Sequence, residues 1–460
     1  MIKIDLFKNK GIRNTGILVK EKREIDDANY MFNLAINNKS DDDFLDILNL
    51  IPDQLITEKD KEKSDVLSVL FYNFYHNTEI PIALPVFSFL SFLSAFCVKN
   101  NVTCRIPKTR KNTHLDTWVT MLAPSGAKKT FSYELIESMI PVDINGEKVI
   151  EQNFEKPSGP AKFVEDLSNL PETVDGEYQY GYWTEDEVAQ LFKKIESVGH
   201  PMSELREFLL KIHNHDKLTR RTKQEEIETK KLIMTLFFIN TIESFADTIS
   251  IESVTDGLIR RLCILITKKD DNRLHTDRKN ILYDFDKIID ETLTEKMSDL
   301  FFNTIPENTN FTFSKDCEEA YITYYKIYWD KRYYRILPDK ENFYRTYLME
   351  SWKYATFHHL ITKKEGTEIQ KESLAWGMRI SLLFADSFKK FMDMKMRNKD
   401  IEKMKVKADK YYDYLIANSD ITMRDFTRKF NMKKEQALLI LEGFKNSGTI
   451  KDHILFKNIK

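Results

Sequence analysis

Apolar positions along the chain change period several times, and those changes divide it. Over residues 66–97 they recur at helical spacing with little polar interruption, which predicts buried helices. Short β-branched pieces follow at 102–106 and 117–122 (TWVTML), the second running straight into a loop and helix, APSGAKKTFSYELIESMI. Further strands are predicted at 178–183, 232–239 (LIMTLFFI) and 262–267 (LCILIT). Helical stretches separate them, so the pattern implies an α/β fold with a largely parallel sheet covered on both faces. Residues 276–400 read almost wholly as helix, rich in Tyr, Phe and Trp. The aromatics there are expected in the core, with the basic residues on the solvent side.

The last sixty residues follow another pattern. A helix at 408–417 precedes Thr422, a cap with Asp425 three positions on, then a short helix DFTRKF and a longer one over 433–446. Gly448 ends that helix, and TIKDHILF (449–456) reads as a two-stranded wing. Leu438, Leu441 and Phe444 are expected to face the core of this winged-helix pattern. Lys433 and Lys434 lie at the start of a helix suited to a major groove, or alternatively to a protein contact.

Composition sharpens this picture. Only 13 of 460 residues are glycine and 12 proline, which argues against an all-β chain of many tight turns. The formal net charge of −2 hides a segregation: residues 21–65 carry 13 acids and 6 bases, residues 389–460 carry 18 bases and 10 acids. A basic C-terminal module suits a nucleic-acid partner. No apolar run reaches about 18 residues, so no membrane-spanning helix is expected. The start, MIKIDLFKNK, lacks the apolar core of a secretion signal. Cys97, Cys104, Cys263 and Cys317 form no CxxC pair, and a reducing cytoplasm is the simple expectation.

Four segments carry candidate chemistry. The octet Ala123 to Thr130 (APSGAKKT) lies between a buried strand and a helix, where a phosphate-binding loop of the form GxxxxGK[ST] belongs. Ser125, Gly126, Ala127 and Lys128 would surround phosphates, Lys129 would reach the terminal ones, and Thr130 would bind Mg²⁺. Ala123 and Lys128 stand where the pattern has glycines, and an ordinary strand–turn–helix also fits. The strand at 178–183 leads to Asp186 and Glu187, an acidic pair suited to holding Mg²⁺ and activating water, or simply an acidic helix start. Strand 232–239 ends in Asn240, a position for sensing the γ-phosphate or capping the next helix. Gly257 precedes Arg260 and Arg261, and Arg261 could reach a neighbouring subunit's nucleotide or be surface charge. Between the acidic pair and Asn240, Arg220, Arg221 and Lys223 sit in LTRRTKQEEIETKK, a charged hairpin that could contact DNA phosphates.

Together, APSGAKKT, TEDEVAQLF, FFINTIESF and DGLIRRL resemble AAA+ helicase-like ATPases of phages, plasmids and bacterial mobile elements, a helicase- and primase-associated family. The resemblance spans roughly residues 80–380. It implies an AAA+ type P-loop core with helix-rich flanks and a C-terminal winged helix. Its parts would be an acidic linker region at 1–65, an ATPase core at 66–275, a helical lid or bundle at 276–400 and the winged helix at 401–460. ATP and Mg²⁺ would be bound, with Lys129 and Thr130 at phosphate and metal, Asp186 at metal, Glu187 at water, Asn240 as sensor and Arg261 as a finger acting in trans. The implied function is an ATP-dependent DNA helicase or helicase loader in replication of a mobile element. It would work as a homo-hexameric ring with single-stranded DNA in its pore, and a primase is an implied partner. The alternative is a non-hydrolysing DNA-binding initiator or scaffold with a degenerate nucleotide site.

Overall fold

The apolar run after residue 65 forms two helices, α1 (Val66–Asn77) and α2 (Ala83–Lys99). Every residue of α2 except Lys99 is buried, which is why its sequence shows no polar face. Its serines settle their hydroxyls inside the core: Ser91 Oγ lies 2.7 Å from Tyr182 Oη, and Ser94 Oγ donates to Leu115 O at 2.8 Å. This computed structural model describes residues 56–197, 199–221, 226–250, 257–267, 284–328, 341–446, 450 and 453–458. The acidic stretch 1–55, Lys223 and the side chain of Arg221 lie outside the described residues.

The chain then alternates: β1 (Thr103–Arg105), β2 (Thr113–His114), β3 (Trp118–Ala123), α3 (Lys129–Ser138), α4 (Pro160–Ser168), β4 (Tyr178–Asp186), α5 (Ala189–Glu196), α6 (Leu205–His213), β5 (Thr219–Arg221), β6 (Glu226–Glu228), β7 (Lys231–Thr241), α7 (Ile242–Thr248) and β8 (Cys263–Ile266). The longest sheet has the order β4-β7-β3-β8, and every pairing in it is parallel. All six residues of β3 are buried, as are Leu232 to Asn240 of β7, so these strands read as unbroken apolar runs. The four expected strands of this core are all present. β5 and β6 form a separate antiparallel hairpin at 219–228.

Residues 276–400 depart from the all-helical expectation. α8 (Glu291–Asp299) leads to a strand, β9 (Asn310–Phe313), then α9 (Lys315–Tyr328), α10 (Glu341–Ile361), a second strand β10 (Glu368–Ile369) and α11 (Lys371–Ala417). β9 pairs with β1 and β10 in a second sheet of order β10-β9-β1-β2. The strand expected at 102–106 therefore belongs to this small sheet and not to the central one. Strands of two to four residues are too short to show alternation, so sequence periodicity passes over them. Residues up to 391 form one compact unit that includes both sheets, so the segment expected as a lid shares its sheet with β1.

The aromatics of α10 and α11 are core, as expected: Tyr347, Trp352, Tyr354, Phe357 and Trp376 are all buried. Among them lies a charged cluster. Lys353 Nζ donates to Asp116 O at 2.7 Å and lies 3.5 Å from Asp116 Oδ1 and 3.2 Å from Glu350 Oε1. Burial alone would raise the Asp116 carboxyl, but Lys353 and His215 hold it well below the usual carboxylate range. The same burial would lower Lys353, and Asp116 and Glu350 reverse that, keeping it charged. Two histidines beside this cluster, the buried His114 and the half-buried His213, are held neutral. Burial, then His215, pushes His114 down to about 4, and burial pushes His213 down to about 3.

The second unit, residues 392–460, contains the end of α11, α12 (Met423–Lys429) and α13 (Lys434–Asn446). The expected Thr422–Asp425 capping box is present, with Thr422 Oγ1 donating to Asp425 Oδ2 at 2.5 Å. Leu415, Phe426, Ala437, Leu441, Ile450, Leu455 and Phe456 form its core, with Phe444 packed against it. Leu441 and Phe444 take their expected places, while Ala437 is in the core and Leu438 is half-buried. Of the wing expected at 449–456, residues 449, 451 and 452 lie outside the described residues; Ile454–Asn458 is a 3₁₀ helix and not a strand, and its Leu455 and Phe456 plug the core directly. Among the described residues, no helix is long and apolar enough to cross a membrane.

Two predictions follow from packing and burial. A Cβ on Gly377 of α11 would lie 2.0 Å from Ser351 O and 2.8 Å from Ala355 N of α10. Gly377→Ala is therefore expected to destabilise by about 3 kcal/mol or more, read as a lower urea midpoint, because backbone atoms cannot step aside as a side chain can. Unfolded imidazoles take up protons near pH 6.5, whereas His114 and His213 resist until about 4 and 3. Between those values the unfolded chain binds more protons, so stability falls as pH falls, by up to about 1.4 kcal/mol per pH unit for each histidine. Urea titrations at pH 5 and 7 measure this, and His114→Phe, which keeps a ring and removes the titration, flattens the dependence.

Candidate nucleotide and metal site

The parallel registers bring three strand ends together. Ala123 of β3 is level with Thr241 of β7, and Asp186 of β4 is level with Ile239 of β7. β7 thus lies between the loop after β3 and the acidic residues after β4, and the loop reaches across its end. Gly126, at φ 76°, turns the chain, with Ala127 N donating to Pro124 O at 3.3 Å. Ala127 is buried and anchors the loop, while Ser125 and Gly126 are exposed. Helix α3 then begins at Lys129, and its first-turn N–H groups have no preceding turn to accept them, which makes this end a site for anions.

Lys128 caps α3 in the left-handed region, at φ 55° and ψ 44°. A glycine would take this conformation without cost, whereas a side chain costs about 1–2 kcal/mol. The Lys128 ammonium lies 3.5 Å from Glu79 Oε1, a partner between α1 and α2 that no motif signals. Lys129 is half-buried and makes no ion pair among the described residues.

Thr130 and Asp186, 56 positions apart in the chain, are in direct contact, with Thr130 Oγ1 donating to Asp186 Oδ2. Both are exposed. A hydroxyl and a carboxylate converging at the start of a helix that carries a lysine fit a Mg²⁺ ion shared with phosphates, which needs one or two carboxylates and keeps several waters. Glu187 follows at φ 56°, its amide bonded to Asp186 Oδ1 at 2.8 Å, and its side chain is exposed. Glu185, the next carboxylate along β4, is instead tied to Lys156 Nζ at 2.8 Å.

Asn240 is buried, and its Oδ1 accepts from Ala189 N at 3.0 Å while its Nδ2 donates to Thr241 O at 2.9 Å. It therefore holds the start of α5, two residues after Glu187, as a cap supplied by a different strand. Arg261 stands elsewhere. It precedes β8 at the edge where the strands begin, about six residues of strand, or roughly 20 Å, from the end of β3. Its Nη1 donates to Gly257 O at 2.8 Å, and burial, with Arg260 beside it, lowers its pKa.

Arg220, in β5, is paired with Glu204 Oε2 at 2.9 Å. Lys433 and Lys434 are exposed at the start of α13, within the second unit.

Asn240→Leu leaves the Ala189 N–H buried without an acceptor and is expected to cost about 1–3 kcal/mol in urea unfolding. An unchanged midpoint would show that the cap contributes nothing. A scan of protein-family models and a search of curated proteins each found no match to this chain.

Proposed function

We propose that the chain is an ATP-binding, ATP-hydrolysing motor of the AAA+ helicase-like kind, acting on DNA as a ring. The observation that carries this reading is the Thr130–Asp186 contact across the end of β7, with Lys129 on the same helix turn. That is the constellation a P-loop ATPase uses, in which hydroxyl and carboxylate share a metal ion and lysine meets the terminal phosphates. Mg²⁺, bound there, would neutralise charge on the β- and γ-phosphates. Lys129 would hold the γ-phosphate, the α3 N-terminus would bind phosphate oxygens, and Glu187 would orient and deprotonate the attacking water. Asn240 supports this by fixing the turn on which Glu187 sits.

The ring follows from Arg261. At roughly 20 Å from the loop of its own chain, it could stabilise transferring phosphate only in a neighbouring subunit. The hairpin carrying Arg220 and Arg221 would face the DNA strand, and the helix starting with Lys433 and Lys434 would offer a second, duplex contact of winged-helix type. A second reading, a DNA-binding initiator that holds nucleotide without hydrolysing it, is favoured by one feature. Lys128 places a charged side chain, paired with Glu79, where the loop pattern has a glycine.

ATP turnover with and without single-stranded DNA tests both readings. Lys129→Ala is expected to lower turnover by about 10²-fold or more, and Arg261→Ala by about 10³-fold or more. Unchanged turnover in Lys129→Ala overturns the nucleotide site. Full activity of Arg261→Ala, or a wild type that stays monomeric with ATP, overturns the ring. Nucleotide binding without any turnover selects the initiator.

A further inference from the structure

The segment Arg105-Ile106-Pro107-Lys108-Thr109-Arg110-Lys111 holds four cations and no acid. It joins β1 to β2, and it forms one wall of a polar depression of about 510 Å³ at the edge where the central strands begin. Lys231, the first residue of β7, adds a fifth cation, its ammonium 5.7 Å from the centre of the Tyr178 ring on the depression's floor. The charges are unevenly balanced. Lys108 is paired with Glu318, and Arg105 donates to Asn112 Oδ1 at 3.1 Å. Arg110, Lys111 and Lys231 have no carboxylate at ion-pair distance among the described residues. Of the two acids in the lining, Asp175 already accepts from Asn101 Nδ2 at 2.8 Å and Thr173 Oγ1 at 2.6 Å, and Glu177 is exposed, so four cations line the depression against two acids.

We propose that this depression binds one nucleotide unit of a single-stranded nucleic acid, with phosphates on Arg110 and Lys111 and the base and sugar against Tyr178 and the Asn101 and Asn112 amides. The size suits a unit of that kind, since ligand pockets run from about 300 to 1,000 Å³. Cations that track a backbone beside an aromatic ring and amides are the features by which single strands are held. A duplex keeps its bases stacked inside and could not offer them to a concave site.

Position supplies a second argument. Lys230, at the base of the β5–β6 hairpin, donates from N to Gln179 Oε1 at 2.9 Å and from Nζ to Gly176 O at 3.2 Å. The segment 175–178 that lines the depression is thus bound to the foot of the hairpin carrying Arg220. The depression therefore adjoins the foot of the hairpin, at the end of the sheet where the central strands begin. This inference rests on the DNA-acting part of the proposed function and not on its ATPase part.

The experiment is fluorescence anisotropy of a labelled oligothymidylate, without ATP, over a range of salt, for wild type and Arg110→Ala/Lys111→Ala. Both side chains are exposed, so the variant is expected to fold and to keep wild-type ATP turnover in the absence of DNA. Its affinity should fall at low salt, and the slope of log affinity against log salt should shrink by about 1.4, two phosphates at about 0.7 each. Wild-type affinity and slope in the variant overturn the site while leaving the hairpin as a DNA contact. If the wild type binds no oligothymidylate, the site falls with the DNA reading, and Lys129-dependent turnover still stands or falls by itself. Displacement of the oligomer by thymidine monophosphate at equal nucleotide concentration overturns a strand site in favour of one for free nucleotides.

Discussion

The ion pair between Lys353 and Asp116 is the fixed point of the first unit. Asp116 lies two residues before β3, the strand whose other end opens into the Ser125–Lys128 loop. Lys353 reaches it from α10, bonding both its carbonyl and its carboxylate. Two charges taken out of water are a net burden unless each is well paired, and removing one partner typically costs about 3–5 kcal/mol. The chain therefore cannot exchange α10 for another helix at this position. The pair sets the start of β3 against the helical layer, the parallel registers carry that setting through β7 to β4, and the loop after β3 meets Asp186 as a result.

Chemistry and anchoring are separated along the sheet. At the edge where strands end stand Thr130, Asp186 and Glu187, all exposed. At the edge where strands begin stand the buried Asp116 and His114 and the half-buried His213, with Arg261 and the basic loop around them. In open parallel sheets, ligands bind outside the carboxyl ends of the strands, where helix N-termini also point. The opposite edge is taken up by packing against α10.

Much of this was legible in the sequence, for identifiable reasons. β3, β4, β7 and β8 are long or wholly apolar, so their existence and parallel arrangement follow from pattern alone. The Thr130–Asp186 encounter could be anticipated from motif order, although only the register of both strands against β7 brings the atoms together. The second sheet was not legible, because β2 and β10 are two residues each and owe their form to β9 and β1. Nor was the end of the chain: Leu455 and Phe456 look like a strand, yet a small three-helix core needed two apolar plugs. The partners of Asn240 and Lys128 escaped too, since Ala189 contributes only its amide and Glu79 lies in no motif.

Lys128 and Glu187 share one property from opposite sides of the site. Each is a charged residue held at a φ near +55°, a backbone shape that glycine adopts freely. In a chain with so few glycines, these are two of the turns where one would relieve strain. Selection for thermal robustness alone would thus favour glycine at both and would strip the site of an ammonium and a carboxylate while the fold improved. Backbone strain and side-chain charge pull apart at these two residues. A variant library sorted by melting temperature would shed these two charges.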